Sequence, residues 1–239
     1  MNSKIIHADC IEEMDNLPKK EFDLIIADPP YVISGTSTNG RFVVTDSLVL
    51  KAFFSEFFKK AEALLKENGS MFVFCDWRTY PVLWYAMASS SSLRATNCIV
   101  WDYGWIKAGK GFRYTHEFIF YLTKEKTESP SNRSTSDVWR MPPINFTQER
   151  RIETEKPENL IEFILESVLK DYGTAKVLDP FAGSGTVGAT CKKLGIDCTS
   201  IELNPVHFEI AKKRIEETML EPRLGLYSSD EVVENDKTS

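Results

Sequence analysis

The sequence predicts an α/β fold built on a mainly parallel sheet. Three observations carry this. Apolar strand-like runs alternate with helical patterns along the 239 residues. The run Leu24, Ile25, Ile26 is apolar at successive positions, as in a strand covered on both faces. A strand-like segment ending at Asp179 leads into Gly183, Gly185 and Gly188, a GxGxxG pattern at the opening of a helix. The length suits one large domain or two small ones with a sizeable core, and no internal repeat breaks the alternation.

Taken in order, "KIIHAD" is a short strand and "CIEEMDNL" a short helix. "FDLIIAD" is a strand followed at once by Pro29, Pro30 and Tyr31. Residues 32–46 are rich in Gly, Ser and Thr and predict a long mobile loop. From Ser47 to Lys66, Phe53, Phe54, Phe57, Phe58, Ala61, Leu64 and Leu65 recur at helical spacing, and Asn68-Gly69 is expected to end that helix. "SMFVFCD" is a strand, with a helix from about Thr79 to Ala88. "ATNCIVWDY" and "HEFIFYLTK" predict an antiparallel pair around "GWIKAGKGFR". Residues 125–151 are polar with little periodicity. A helix from Pro157 to Asp171, the strand "AKVLDP", the helix "GTVGATCKKLG", the strand "IDCTSIE" and a helix from Pro205 to Met219 complete the pattern. The tail from 221 to 239 is expected to be disordered.

Composition narrows the function classes. No apolar run approaches the roughly 20 residues of a membrane span, and "MNSKIIHADC" lacks a signal-peptide core. The five cysteines are odd in number and lie mostly in apolar runs, which predicts reduced core residues of a cytosolic protein. Neither CxxC nor a His/Cys cluster points to a metal. The net charge of −6 argues against nucleic acid until its distribution is seen. Residues 216–239 hold seven acids against two bases, whereas residues 103–151 hold nine bases against five acids. Lys107, Lys110, Arg113, Arg133, Arg140, Arg150 and Arg151 belong to that second stretch. They read either as a solvated surface or as a local phosphate-binding face.

The glycine loop has three readings: a tight packing turn, a dinucleotide site, or a site for S-adenosylmethionine. In each functional case the glycines let backbone approach a ligand. Glu202, ending the next strand, is placed to accept hydrogen bonds from ribose hydroxyls. The flanking Asp179, Pro180 and Phe181 favour S-adenosylmethionine.

"DPPY" (Asp28–Tyr31) together with "DPFAGSGT" (Asp179–Thr186) resembles the S-adenosylmethionine-dependent DNA amino-methyltransferases, which methylate an exocyclic nitrogen of adenine or cytosine. The catalytic motif precedes the cofactor motif, the permuted order of the beta group of that family, and the resemblance covers roughly residues 4–219. It implies a single Rossmann-like fold over residues 1–220: a mostly parallel sheet of seven-stranded type, an antiparallel strand pair, and helices on both faces. "HADCIEEMDNLP" resembles the family's opening, which implies Asp9 and Cys10 near the adenine ring of the cofactor. "TEKPENLIEFIL" resembles the element that holds its methionine part. There Thr154, Lys156 and Pro157 keep the pattern, while Ile152 and Glu153 replace His-Pro and Glu155 replaces Gln. Trp101 and the His116–Glu117 pair match a further segment. The implied cofactor residues are Asp9, Cys10, Asp28, Lys156, Asp179, Phe181, Ala182, Gly183, Ser184, Gly185, Thr186, Glu202 and Asn204. Residues 124–151 match the recognition segment. Being short, they imply a short DNA site, with a homodimer partner assisting.

The implied chemistry suits the residues. The lone pair of an adenine amine is delocalised into the ring, so acceptors for its hydrogens are what help. Asp28 supplies a charged acceptor and the carbonyl of Pro29 a second, held rigidly by proline's fixed φ. Tyr31 offers a stacking face for a flipped base, worth about 1–3 kcal/mol. The sulfonium of the cofactor is already activated, so no metal is needed. Asp-Pro-Pro-Tyr favours N6 of adenine over N4 of cytosine within the resemblance. A non-catalytic DNA-binding partner subunit on the same fold and a dinucleotide oxidoreductase are the rivals, and the second leaves Asp28–Tyr31 unexplained. Trp101, Trp105 and Trp139 are expected as core or loop anchors.

Overall fold

The computed structural model describes residues 3–31, 47–106, 111–125, 127, 135–144, 151–152 and 155–221. In chain order the elements are β1 (Ser3–His7), α1 (Cys10–Asn16), β2 (Phe22–Ala27), α2 (Ser47–Leu64), β3 (Leu65–Cys75), α3 (Tyr80–Ser90), β4 (Arg94–Asp102), β5 (His116–Thr123), β6 (Val138–Arg140), α4 (Glu158–Val168), β7 (Lys176–Asp179), α5 (Thr186–Leu194), β8 (Asp197–Glu202) and α6 (Pro205–Glu217). The expected loop at 32–46 and the expected tail beyond Glu221 lie outside the described residues.

The strands form one sheet in the order β1-β8-β7-β2-β3-β5-β4-β6. Every neighbouring pair is parallel except those of β5, which runs antiparallel to both β3 and β4. Apolar runs arise because each strand feeds two cores. In β2, Ile25 and Ala27 join one cluster with Met14 of α1, Phe54, Phe57 and Phe58 of α2 and Leu83 of α3. Leu24 and Ile26 point the other way, to Leu160, Ile161 and Ile164 of α4 and Cys191 of α5.

Two expectations need correction. The sheet has eight strands among the described residues, because β6 pairs with β4 inside the stretch expected to lack periodicity. Three residues are too few to show a period; what holds them is Trp139, buried against Phe72 and Phe163. Helix α2 ends at Leu64, so Asn68-Gly69 lies in β3 and does not end the helix. The surplus residues are absorbed by a register shift: Phe22 pairs with Leu65, and Leu24 with Ser70.

The glycine loop is packed as well as bent. Gly185 has φ 77°, and a Cβ there would lie 2.9 Å from the Cα of Ala211 in α6. A Cβ on Gly188 would meet Ile215 Cδ1 at 2.6 Å and Ser200 Oγ at 2.8 Å. These two glycines let α5 and α6 approach. Gly185→Ala is expected to cost about 3 kcal/mol through left-handed strain and overpacking. That lowers the midpoint of thermal unfolding by roughly 6–12 °C.

Candidate active site

β2 and β7 are direct neighbours, with Leu24 paired to Val177 and Ile25 to Leu178. Their connections leave in opposite directions, β7 through α5 to β8 and β2 through α2 to β3. The crevice between them is the point where strand order reverses, the usual ligand position in an open parallel sheet. Asp28 and the Asp179–Thr186 loop, some 150 residues apart in sequence, both open onto it.

On the β2 side a charged network is assembled from four segments. Asp28 Oδ1 accepts from the Tyr31 hydroxyl at 2.8 Å, and Asp28 Oδ2 accepts from Lys156 Nζ at 2.6 Å. Glu117, at the start of β5, lies 3.7 Å from the same ammonium and accepts from Tyr31 at 3.4 Å and from the buried Tyr103 hydroxyl. Lys156 Nζ sits 4.9 Å over the Phe74 ring. Burial by itself would lower the Lys156 ammonium, but Asp28 and Glu117 outweigh it and hold it above its ordinary value. Burial, with the charges of Asp28 and Glu117 added, pushes the Tyr31 phenol well up, so it stays a donor. Pro29 is buried behind Asp28 and Pro30 is exposed.

On the β7 side, Asp179 is buried at the strand end. Its Oδ1 accepts from Phe181 N at 3.2 Å, and its Oδ2 has no partner among the described residues. Burial pushes this carboxyl well above the usual carboxylate range; the Phe181 amide opposes this, while Glu202 and Asp28 add to it. Glu202 closes β8. Its Oε2 accepts from Gly183 N at 2.7 Å and its Oε1 from Asn204 N at 2.8 Å, which ties the glycine loop to the turn before α6. A carboxylate has about four acceptor positions, so Glu202 keeps capacity for a ligand hydroxyl. Phe181 packs on α2, 5.4 Å from Phe57, and Ala182 N bonds to Ile201 O.

Other residues expected to hold the cofactor also make bonds within the fold. The Ser184 and Thr186 side chains are buried and bonded to Arg214 of α6, Thr186 at 2.7 Å, so they brace the loop from behind. Asp9 caps α1, accepting from Ile11 N at 2.7 Å, and Cys10 is buried beneath it, its thiol pushed up to about 12 chiefly by burial. The side chain of Asn204 caps α6. Lys156 points to Asp28, itself among the residues that the resemblance implies for the cofactor.

Of the expected DNA contacts, Arg113 is exposed. Arg140 is largely exposed while its Nε holds Asp102 at 2.9 Å. Arg151 is engaged with Glu155 through its backbone N–H and one nitrogen of its guanidinium, at 2.8 and 2.9 Å, while its side chain stays half exposed. Lys107, Lys110, Arg133 and Arg150 lie outside the described residues, as does Thr154.

The model of a DNA methylase family matches residues 22–213. The chain belongs to the N6/N4 DNA methyltransferase family. A type II methyltransferase of Haemophilus parainfluenzae, M.HpaI, is 25% identical over 241 residues, spanning 90% of this chain and 75% of its own. The DNA adenine methyltransferase YhdJ of Escherichia coli (strain K12) is also 25% identical, over 89% of this chain and 82% of its own. Among solved structures, that of M1.HpyAVI in complex with S-adenosylmethionine superposes with a TM-score of 0.67 at 26% identity, covering 88% of this chain and 98% of its own.

As a member of this family the chain is an S-adenosylmethionine-dependent DNA methyltransferase, and DNA is its substrate. The crevice fits the cofactor: a positive-φ glycine turn, an unfilled buried carboxyl oxygen on Asp179, and Glu202 with spare acceptor capacity lie together at the switch point. Sequence reasoning named Lys156 for the cofactor and missed Tyr103 and Arg214. It marked Glu117 only as half of a resembling pair. The available signal was its position: a carboxylate at the start of an otherwise apolar strand, as Asp28 directly follows the apolar β2.

Proposed function

We propose that the chain methylates N6 of adenine in a short DNA site, taking the base flipped out of the duplex into the crevice beside Asp28. The observation that carries this is that Asp28 Oδ2 already receives an N–H donor, Lys156 Nζ, at 2.6 Å. A carboxylate so placed is ready to receive an amine. When bound, the cofactor supplies a methyl group made electrophilic by its sulfonium. Asp28 and the Pro29 carbonyl accept the amino hydrogens, which turns the nitrogen lone pair outward, and Asp28 lies in position to take the proton that the nitrogen sheds. Tyr31, oriented by its hydroxyl bonds to Asp28 and Glu117, sits beside the amine position and offers its ring to the base. Lys156 offsets part of the negative charge that Asp28 and Glu117 bring together. The Asp-Pro-Pro-Tyr sequence and the name of the YhdJ relative support adenine.

Incubation with labelled S-adenosylmethionine and unmethylated plasmid DNA, followed by digestion to nucleosides, is expected to yield N6-methyladenine. Label in N4-methylcytosine would reassign the base. Glu202 is proposed to hold the cofactor ribose. Glu202→Ala is expected to weaken S-adenosylmethionine binding roughly 10- to 100-fold by calorimetry, with Glu202→Gln between it and the parent.

The working unit proposed is one catalytic domain over residues 1–220, acting in the cytoplasm of a bacterial, archaeal or phage-infected cell. Among the described residues no helix is long and apolar enough to cross a membrane. Assistance from a second copy belongs to the same reading, since the recognition segment is short; sedimentation with and without DNA tests it.

A further inference from the structure

Just past Asp28 on the same sheet edge lies a group of solvent-exposed aromatic side chains. Ala27 pairs with Val73, which sets Asp28 level with Phe74. Cys75 pairs with Phe118, so Glu117 lies one residue beyond that row of the sheet edge. Trp77 follows two residues after Cys75, and Tyr114 precedes Glu117 by three. The Trp77 indole N–H donates to the Tyr114 hydroxyl at 3.3 Å. Both rings are nevertheless open to solvent, 57% and 44% exposed, and the adjacent Phe112 is fully exposed. Arg78 spans the pair, its guanidinium carbon 5.8 Å from the Trp77 ring and 6.0 Å from the Tyr114 ring. Asp76 fixes it in place, accepting from Arg78 Nε at 2.8 Å while its other oxygen caps the start of α3 through Thr79.

Two contacting aromatic side chains held half in water around an anchored cation form the kind of exposed patch that marks an interaction site. A nucleic-acid strand matches this chemistry: bases stack on exposed rings in any sequence, and arginine adds a cation over the π-faces or a contact to phosphate. From the Asp28 row to Trp77 is three residues of chain, roughly 10 Å at full extension. The cluster therefore lies within reach of a strand that delivers a base to Asp28.

We infer that Trp77, Arg78 and Tyr114 form a stacking platform that holds the bases next to the target while the target turns into the Asp28 pocket. This rests on the proposed base-flipping reaction. The platform captures unstacked bases, so it favours single-stranded or opened DNA and sets affinity without reading sequence.

The test uses the full chain and a fluorescein-labelled 30-nucleotide strand of mixed sequence, alone and as a duplex, read by anisotropy. Trp77→Ala and Tyr114→Ala are each expected to weaken single-strand binding about tenfold. Trp77→Phe keeps a ring and is expected to stay within threefold of the parent. The thermal midpoint and S-adenosylmethionine affinity are expected to be unchanged. Unaltered strand binding in both alanine variants would overturn the platform. So would unaltered strand binding accompanied by loss of self-association, which would make the cluster a protein interface. An equal loss in Trp77→Phe and Trp77→Ala would also overturn it, by showing that the ring does not matter. Asp28→Ala is the control for the underlying reaction: it is expected to bind the strand normally and not methylate. If the parent chain binds through the platform but transfers no methyl group, the reaction reading fails and the platform stands.

Discussion

Replacing Asp28 by alanine is expected to lower methyl transfer to DNA by on the order of 10³-fold while S-adenosylmethionine binding changes by no more than a few-fold. The expectation follows from geometry. One oxygen of Asp28 is engaged by Tyr31 and the other by Lys156, so the carboxylate is fixed at the end of β2 as the acceptor proposed for the amine. Its removal takes away the charged acceptor and leaves the Lys156 ammonium with Glu117 at 3.7 Å as its nearest carboxylate. Asp28→Asn keeps an acceptor oxygen without the charge and is expected to fall between the two. Single-turnover rates on plasmid DNA, with calorimetric cofactor binding as the check on folding, separate chemistry from collapse of the site. Full activity in Asp28→Ala would remove the acceptor mechanism.

The largest effect on stability is expected at Arg214. This side chain of α6 is 4% exposed, as is fitting for a residue with four partners: Glu155 at 2.8 Å, Glu158 at 2.7 Å, Thr186 at 2.7 Å and Ser184 at 3.2 Å. Glu155 is itself only 2% exposed. Arg214→Met leaves that carboxylate buried with Arg151 as its remaining ion pair among the described residues, and the expected cost is about 3–5 kcal/mol. Urea unfolding measures it. The double substitution Glu155→Met with Arg214→Met removes both charges and is expected to recover part of the loss, because an apolar pair needs no compensation. A cost below about 1 kcal/mol for Arg214→Met would show that the pair is idle. Since Arg214 also braces Ser184 and Thr186, the same variant is expected to bind the cofactor less tightly.

That network accounts for a departure in the sequence. Glu155 stands where the family pattern has Gln, and on sequence alone it weakens the match. In the fold it faces an arginine some 60 residues away, and a charged partner there is what a buried guanidinium requires. Glu117 was hidden for the related reason that its partners, Tyr31, Tyr103 and Lys156, come from three distant segments. The bonds of Ser184 and Thr186 to Arg214 were hidden in the same way, because a loop motif does not record which helix packs behind it.

By itself the sequence determined the alternation of strands and helices, the antiparallel return of β5, and the two motifs with their permuted order. Each of these is written in local chemistry: apolar runs for strands buried on both faces, glycines where backbone turns sharply, and prolines after a carboxylate. The tertiary structure alone decided that β7 lies beside β2, which makes one crevice of two motifs 150 residues apart. It also decided that Lys156 meets Asp28, that Arg214 braces the glycine loop, that a three-residue strand closes the sheet, and that Trp77 and Tyr114 share one edge. These are contacts between segments with no common period or spacing. They exist because closing the chain into a single sheet with two cores brings each of these buried charges and strand ends against those neighbours.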